Sequence, residues 1–587
     1  MKRLLTLMLM AALGTTLLAA CGSDDRPAPD AAADLILTNA RVYTFAWQDP
    51  DGEGRPADGA PFVDGRWRPD ADAVAIRAGL ILATGRAAEI ERLAGPATTV
   101  VDLDGATVIP GLVESHGHFN ELGEMAERVD LAGVTTMAEM ARRVAGRAAE
   151  TAPGEWVVGG GWDEGEWADA LPTRDALDAA APGHPVLLKG RRGFAIAVNG
   201  MALDAAGVDA DTPAPSGGEI VRDADGEPTG VFLNRAQALI YDAMPEPTLE
   251  QQERRLLHGL REIAKAGYVT GHHAGVYADY MPAYESLAAA GRLPVRVEAM
   301  IAARPENMAL LETWIARGPT ADRSAFLQVR AVKAYYDGSL GSRGAALLED
   351  YADQPGHRGV AGSEYGFPEA AVAEAIAAGF QAGLHAIGDA GNRAVLDFYE
   401  RVLANDPPAR GLNHRIEHAQ VLHPDDIARF AELNLVASMQ PCHAVEDSPW
   451  AEDRLGPDRV RGAYAWRSLR RAGAGLIFNS DLYGTDFDVF YGLHCAVTRA
   501  DRDGEPPGGW YAGEALSIEE ALRAWTVWPA RASLREDLTG TLEPGKWADL
   551  SVLSIDPLNA AIENPGNLLD GRALLTIVAG RIVHDGR

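Results

Sequence analysis

Apolar residues in this chain gather into short runs, each closed by a polar or charged residue, and most runs are followed by a stretch with helical spacing. The runs end at His116 or lie near 268–270, 295–301, 327–333, 380–385, 415–418, 435–439 and 475–480. Such runs have the length and composition of buried strands. Between them, Thr248-Leu-Glu-Gln251 is a capping-box pattern that predicts a helix to about Lys265, closed by Gly267. Pro424 to Glu432 and Ser517 to Trp525 predict further helices. Strand-helix alternation argues for an α/β fold with a parallel sheet, and the eight strands fit a (β/α)8 TIM-type barrel.

Both ends of the chain read differently. Residues 34–45, 75–77 and 99–103 have strand composition broken by turn residues, and so do 540–553 and 574–583. The pattern predicts a composite β-sandwich made from 34–110 and 536–587, around a barrel over 111–535. About 125–247 separate the first barrel strand from the second, far beyond an ordinary βα connection. They carry strand-like runs at Trp156–Val158 and Pro185–Lys189. The segment is expected to be an inserted α+β subdomain covering the barrel mouth.

The N-terminus changes the picture of location. Lys2 and Arg3 precede an apolar stretch, Leu4 to Leu18, too short to span a bilayer. Leu18-Ala-Ala-Cys21 resembles a bacterial lipobox, so 1–20 read as a lipoprotein signal peptide and Cys21 as the lipidation site. Residues 21–33 read as a polar tether. This predicts a cell-envelope protein on the periplasmic face, with Gly22 favouring the outer membrane over the inner. Only Cys442 and Cys495 remain, which is no disulfide framework. The formal charge is −31. Such a surface disfavours nucleic acid and anionic lipid, leaving the lipid anchor as the only membrane contact expected. A homodimer is compatible with the sequence, and oligomeric state stays open.

The chemistry lies at the ends of the apolar runs. His116 and His118 flank Gly117, and alternate residues of a strand share one face, so both imidazoles can reach one divalent metal ion. Lys333 ends the run from Phe326; Leu327, Val329 and Ala331 are expected to share its face and fill the barrel. Burial there lowers a lysine pKa and frees the neutral amine, which can take up carbon dioxide as an anionic carbamate able to bridge two metals. The bland reading is an ion pair with Asp337. His385 and His418 end the next two runs as further imidazole ligands. His414-Arg-Ile-Glu-His418 also matches the inverted zinc-protease motif, but Pro407, Pro408 and Gly411 upstream do not prepare the helix that motif needs. Asp481 ends the last run, where a carboxylate can bind metal and accept a proton from water.

Together, Pro110–His118, Val332–Arg343, His385-Ala-Ile-Gly-Asp389, Arg415–His418 and Ser480-Asp481 resemble the amidohydrolase superfamily. The likeness is closest to its YtcJ-like branch, amidohydrolase family 3, which includes N-substituted formamide deformylases. Gly161-Trp-Asp163, Gly217–Ile220, Ser438–His443 and Leu542–Asp549 fit the same branch. The resemblance implies a divalent metal centre of one or two ions, usually zinc. His116 and His118 would hold one ion, His385 and His418 the other, with carboxylated Lys333 between them and Asp481 as ligand and base. Three positions depart from the branch: Phe194 stands where a histidine is usual, His273 where an aspartate is, and 482–486 lack the usual proline turn.

The expected reaction is hydrolysis of a non-peptide C–N bond, an amide or cyclic amide, in a small-molecule substrate. Trp162 and His443 are the expected substrate contacts. Lactone or phosphotriester hydrolysis on the same metal set is an alternative, and a non-catalytic, small-molecule-binding envelope lipoprotein is another.

Overall fold

The computed structural model describes residues 32–163, 172–191, 193–483 and 485–587. The lipobox and Cys21 lie outside the described residues. Among those described, no helix is long and apolar enough to cross a membrane.

Eight strands form the central sheet: β1 (Leu112–Gly117), β2 (Tyr268–Val276), β3 (Arg296–Ala302), β4 (Leu327–Tyr335), β5 (Gln381–Ala386), β6 (Arg415–His418), β7 (Val436–Met439) and β8 (Gly475–Phe478). They pair in chain order, and every pairing is parallel. The β8–β1 seam is closed differently. Gly117 bridges Leu482, and the Glu114 carboxyl accepts from the Ser480 amide and hydroxyl, the latter at 2.7 Å. Helices Met281–Ala289, Met308–Arg317, Glu369–Ala377, Asp389–Asn405, Pro424–Glu432 and Trp466–Arg471 link successive strands from β2 to β8. This is a TIM-type α/β fold. The helix before β2 runs Leu249–Lys265, and both bonds of the Thr248/Gln251 capping box form.

Strands from both ends of the chain share one five-stranded sheet, ordered Arg41–Val42, Thr107–Pro110, Leu550–Leu553, Ala573–Val578, Arg581–Asp585. It joins the barrel where β2 and β3 begin. The Ser551 hydroxyl donates to Gly267 O at 2.7 Å, and Arg296 pairs with Asp549 at 2.7 Å while stacking on Trp547 at 3.7 Å. Between β1 and β2 lies a separate six-stranded sheet, from Val129–Asp130 to Pro228–Asn234 in sequence.

One expectation about the barrel interior needs correcting. Ala331 does pack inside, with Ala274 and Met300. Leu327 and Val329 instead line a cavity on the outer flank, with Trp314 and Arg317 of the preceding helix. The cause is register. Glu298 faces Gln328 but Met300 faces Ala331, so β4 carries one extra residue there and its alternation flips. The space below Lys333 is ionic rather than apolar. Arg415 donates to Gln381 at 2.8 Å and to Ser115 O at 3.2 Å, and lies 3.1 Å from His272 Nδ1. Glu298 sits 3.6 Å from His272 and 3.4 Å from Arg535.

Candidate metal centre

The C-terminal ends of β1, β4, β5 and β6 and the turn after β8 open into a cavity of about 420 Å³. His116, His118, Lys333, His385, His418, Asp481 and His443 all line it, with Tyr335, Leu340, Ile387, Glu446, Asp447 and Trp450 among their neighbours. The volume suits a small molecule. Five segments spread over more than half the chain thus meet in one place.

Two of the imidazoles are oriented by a bond on the far side. His116 gives Nδ1 to Glu417 Oε2 at 2.6 Å, which leaves Nε2 facing inward, 3.0 Å from Lys333 Nζ. His418 gives Nδ1 to Gln440 Oε1 at 3.0 Å; Gln440 in turn donates to Asn479 at 2.7 Å. Fixing one nitrogen this way commits the other to a ligand and sets the tautomer. His385 Nε2 is buried without a hydrogen-bond partner, 3.7 Å from Asp337. Its ring meets that of His418 edge-on at 4.5 Å. Gly117 lets β1 seat both histidines, because a Cβ there would lie 2.9 Å from the Phe119 ring and 3.1 Å from Leu482.

Two residues reach the cluster through unusual backbone. His418 has φ 73° and Asp481 φ 58°. In β6, Arg415 and Glu417 point into the barrel, so His418 would face away if the strand continued. The left-handed turn brings it inward. Such conformations cost energy in ordinary residues and concentrate at functional sites.

Distances decide what the cluster can do. Asp481 Oδ1 lies 3.4 Å from His116 Nε2 and 3.4 Å from His118 Nε2. That is longer than a good hydrogen bond. Two ligands on one zinc ion, each at 2.0–2.2 Å in tetrahedral geometry, sit roughly 3.3–3.6 Å apart. His116, His118 and Asp481 thus have the spacing of a shared ion, and His418, His443 and Asp481 form a second compatible set. The unpartnered His385 Nε2 and the N/O donor set fit a divalent metal.

Electrostatics agree. Burial, then Lys333, hold the His116 pKa below the ordinary imidazole range, and burial brings His418 down to about 3. Both are therefore neutral ligands at pH 7. Burial opposes ionisation of Asp481, but His116, His118 and His418 overcome it and hold its pKa well below the usual carboxylate range. Burial lowers Lys333 to about 8, which makes the neutral amine accessible. No ion pair joins Lys333 to Asp337: the Asp337 carboxylate accepts from the backbone N–H groups of Ala346, Ile387 and Gly388, each at 2.9 Å.

The remaining sequence expectations divide. His414 is excluded from the cavity: it lies one residue before β6, accepts from the Ala382 amide at 3.0 Å and stacks on Tyr399. Trp162 is a correction. It is fully buried in the inserted sheet, its indole N–H donating to Leu188 O at 3.1 Å among Val129, Leu131 and Val186. It contributes to a core and does not line the cavity. Among the described residues, nothing from 125–247 lines it either. Sequence reasoning missed Glu417 and Gln440 as orienting partners. Only Glu417 carried a signal, as a carboxylate beside His418 at a strand end.

The model of the amidohydrolase family matches residues 99–584. YtcJ of Bacillus subtilis (strain 168) is 33% identical over 522 residues, covering 88% of this chain and 96% of that protein. The N-substituted formamide deformylase of Arthrobacter pascens is 28% identical over 563 residues, covering 93% and 97%. Among solved structures, an uncharacterized metal-dependent hydrolase from Pyrococcus furiosus superposes with a TM-score of 0.69 at 27% identity, covering 89% of this chain and 99% of the other. With the parallel barrel and the inward-facing imidazoles, these matches mean that the chain belongs to the amidohydrolase family, in its YtcJ-like branch.

Proposed function

We propose that this chain is a metal-dependent hydrolase acting on a non-peptide C–N bond, an amide or cyclic amide, of a small molecule. The observation that carries the reading is the 3.4 Å spacing of Asp481 Oδ1 from the imidazole nitrogens of both His116 and His118. His116 and His118 would hold one ion and His385 and His418 the other, and Lys333, once carboxylated, would supply an anionic ligand at the same centre. Carbamate formation joins the neutral Nζ to carbon dioxide and releases one proton. A divalent metal, zinc by preference, supplies Lewis acidity there, polarising a carbonyl and acidifying water.

The chain's own groups do the rest. The Asp481 carboxylate takes the proton released as water adds to the carbonyl carbon. It returns that proton to the leaving nitrogen as the C–N bond breaks. His443, whose ring lies parallel to that of His418 at 6.5 Å, would serve as a substrate contact. Glu417 and Gln440 keep their histidines in register throughout. The deformylase activity of the Arthrobacter pascens relative, which this chain matches over nearly its whole length, supports an amide over a lactone or phosphotriester. The lipobox at Cys21 supports an enzyme tethered to the cell envelope and facing the periplasm.

The test is a panel of N-formyl amides, hydantoins, lactones and phosphotriesters with zinc-loaded protein, alongside Lys333→Ala. Amide turnover in the wild type, with activity and one zinc equivalent lost in the variant, is the expected result. Turnover confined to lactones or phosphotriesters would overturn the bond assignment. Unchanged zinc content in Lys333→Ala would overturn the bridging role.

A further inference from the structure

Beside the main cluster, on the outer side of His118, lies a pair that the reaction above does not use. His273 lies in β2 between His272 and Ala274, which face the barrel interior, so it points to the helix side, and it is fully buried. Its Nδ1 is held by the Tyr284 hydroxyl at 2.7 Å. Its Nε2 is buried with no hydrogen-bond partner, and so is Glu121 Oε2, 3.6 Å away on the helix Phe119–Glu127. The two atoms face each other only as a long ion pair, which leaves both poorly satisfied. Their separation is too long for a good hydrogen bond but matches the edge between two ligands on one ion. His118 completes the group: one ligand atom from each of the three residues lies within 4.8 Å of the others. Glu121 and His118 keep 23% and 22% of their side-chain surface exposed, so an ion has a way in.

We propose that His118, Glu121 and His273 form a second cation position at the barrel mouth, taking zinc or a similar borderline divalent metal. Two imidazoles and one carboxylate select such a metal over magnesium or calcium, which prefer all-oxygen sites. His118 belongs to both positions, since its Nε2 also faces Asp481. Occupancy of the outer position therefore draws on a ligand of the inner one, and excess metal opposes the centre it first fills.

The experiment counts zinc by elemental analysis in the full-length protein across a series of buffered free-zinc concentrations, for wild type, Glu121→Gln, His273→Gln and Lys333→Ala. At the highest free zinc the wild type is expected to hold one equivalent more than Glu121→Gln or His273→Gln. Lys333→Ala is expected to keep that extra equivalent, which separates this site from the bridged centre. Zinc-edge anomalous diffraction on the wild type is expected to place the extra ion between Glu121 and His273, independent of how well the variants fold. Equal zinc counts in wild type and both outer variants, or no anomalous peak at that position, would overturn the proposal. So would magnesium occupying the site as readily as zinc.

Discussion

Two layers of buried polar groups are stacked in this barrel. In the lower one, Arg415 spreads its guanidinium over Gln381, Ser115 O and His272, while Glu298 is flanked by His272 and Arg535. There the guanidinium groups meet acceptors or carboxylates, so most of the buried charge is paired. In the upper one, lone pairs face lone pairs: imidazole nitrogens of His116 and His118 confront Asp481 at 3.4 Å, and His385 Nε2 has no partner. The lower layer is shut off from water, whereas His118 and Asp481 in the upper one keep 22% and 21% of their side-chain surface exposed. What separates structure from site is whether the polar groups satisfy one another or together lack a cation.

The sharpest way to break this comparison is Asp481→Asn. It removes the proton acceptor and one metal ligand, and hydrolysis is expected to fall by about 10²–10⁴-fold. Metal-free stability should barely change, as followed by chemical unfolding beside steady-state rates. In the lower layer, Arg415→Met leaves Glu417 buried with its charge partner gone. That should cost about 3–5 kcal/mol in the unfolding midpoint, metal present or absent. Glu417→Gln acts at the junction of the layers, since Glu417 orients His116. Zinc affinity, measured against a competing chelator, should drop about 10–100-fold. If stability fell and affinity did not, Glu417 would belong to the lower layer alone.

The smallest expected effect is a pH dependence at the cavity edge. Burial raises the Asp447 carboxyl to about 6, although the Tyr464 hydroxyl and the Gln420 amide donate to it. A carboxyl whose pKa is raised on folding contributes most stability below its unfolded value, near 4. That contribution is lost as pH rises toward 6. Asp447→Asn should therefore gain on the wild type between pH 4 and 6 and then hold level, as read from melting curves across that range. A constant difference over the range would count against burial as the cause.

Much of this was legible before any coordinates. Period-two alternation placed His116 and His118 on one face, and five of the eight apolar runs ended on or just before a residue that lines the cavity. The Thr248 capping box and the Pro424 helix start were local signals, and the helices begin where those signals lie. Trp162 was misjudged because a motif position says nothing about which side of a sheet is covered. Leu327 and Val329 were misjudged because one extra residue in β4 reverses its faces, and the bulge is visible only against β3.

By itself, then, the sequence determined the order of strands and helices, the family, and which polar residues end the strands that open into the cavity. These depend on neighbours within a few positions, where periodicity and capping act. Tertiary structure alone decided that Glu417 would orient His116 across 301 positions of chain, and that Glu121 would face His273. It also decided that Arg535 would reach Glu298, 237 positions away. Such contacts follow from barrel closure, which brings distant strand ends within ångströms of each other. No local rule of spacing encodes that approach.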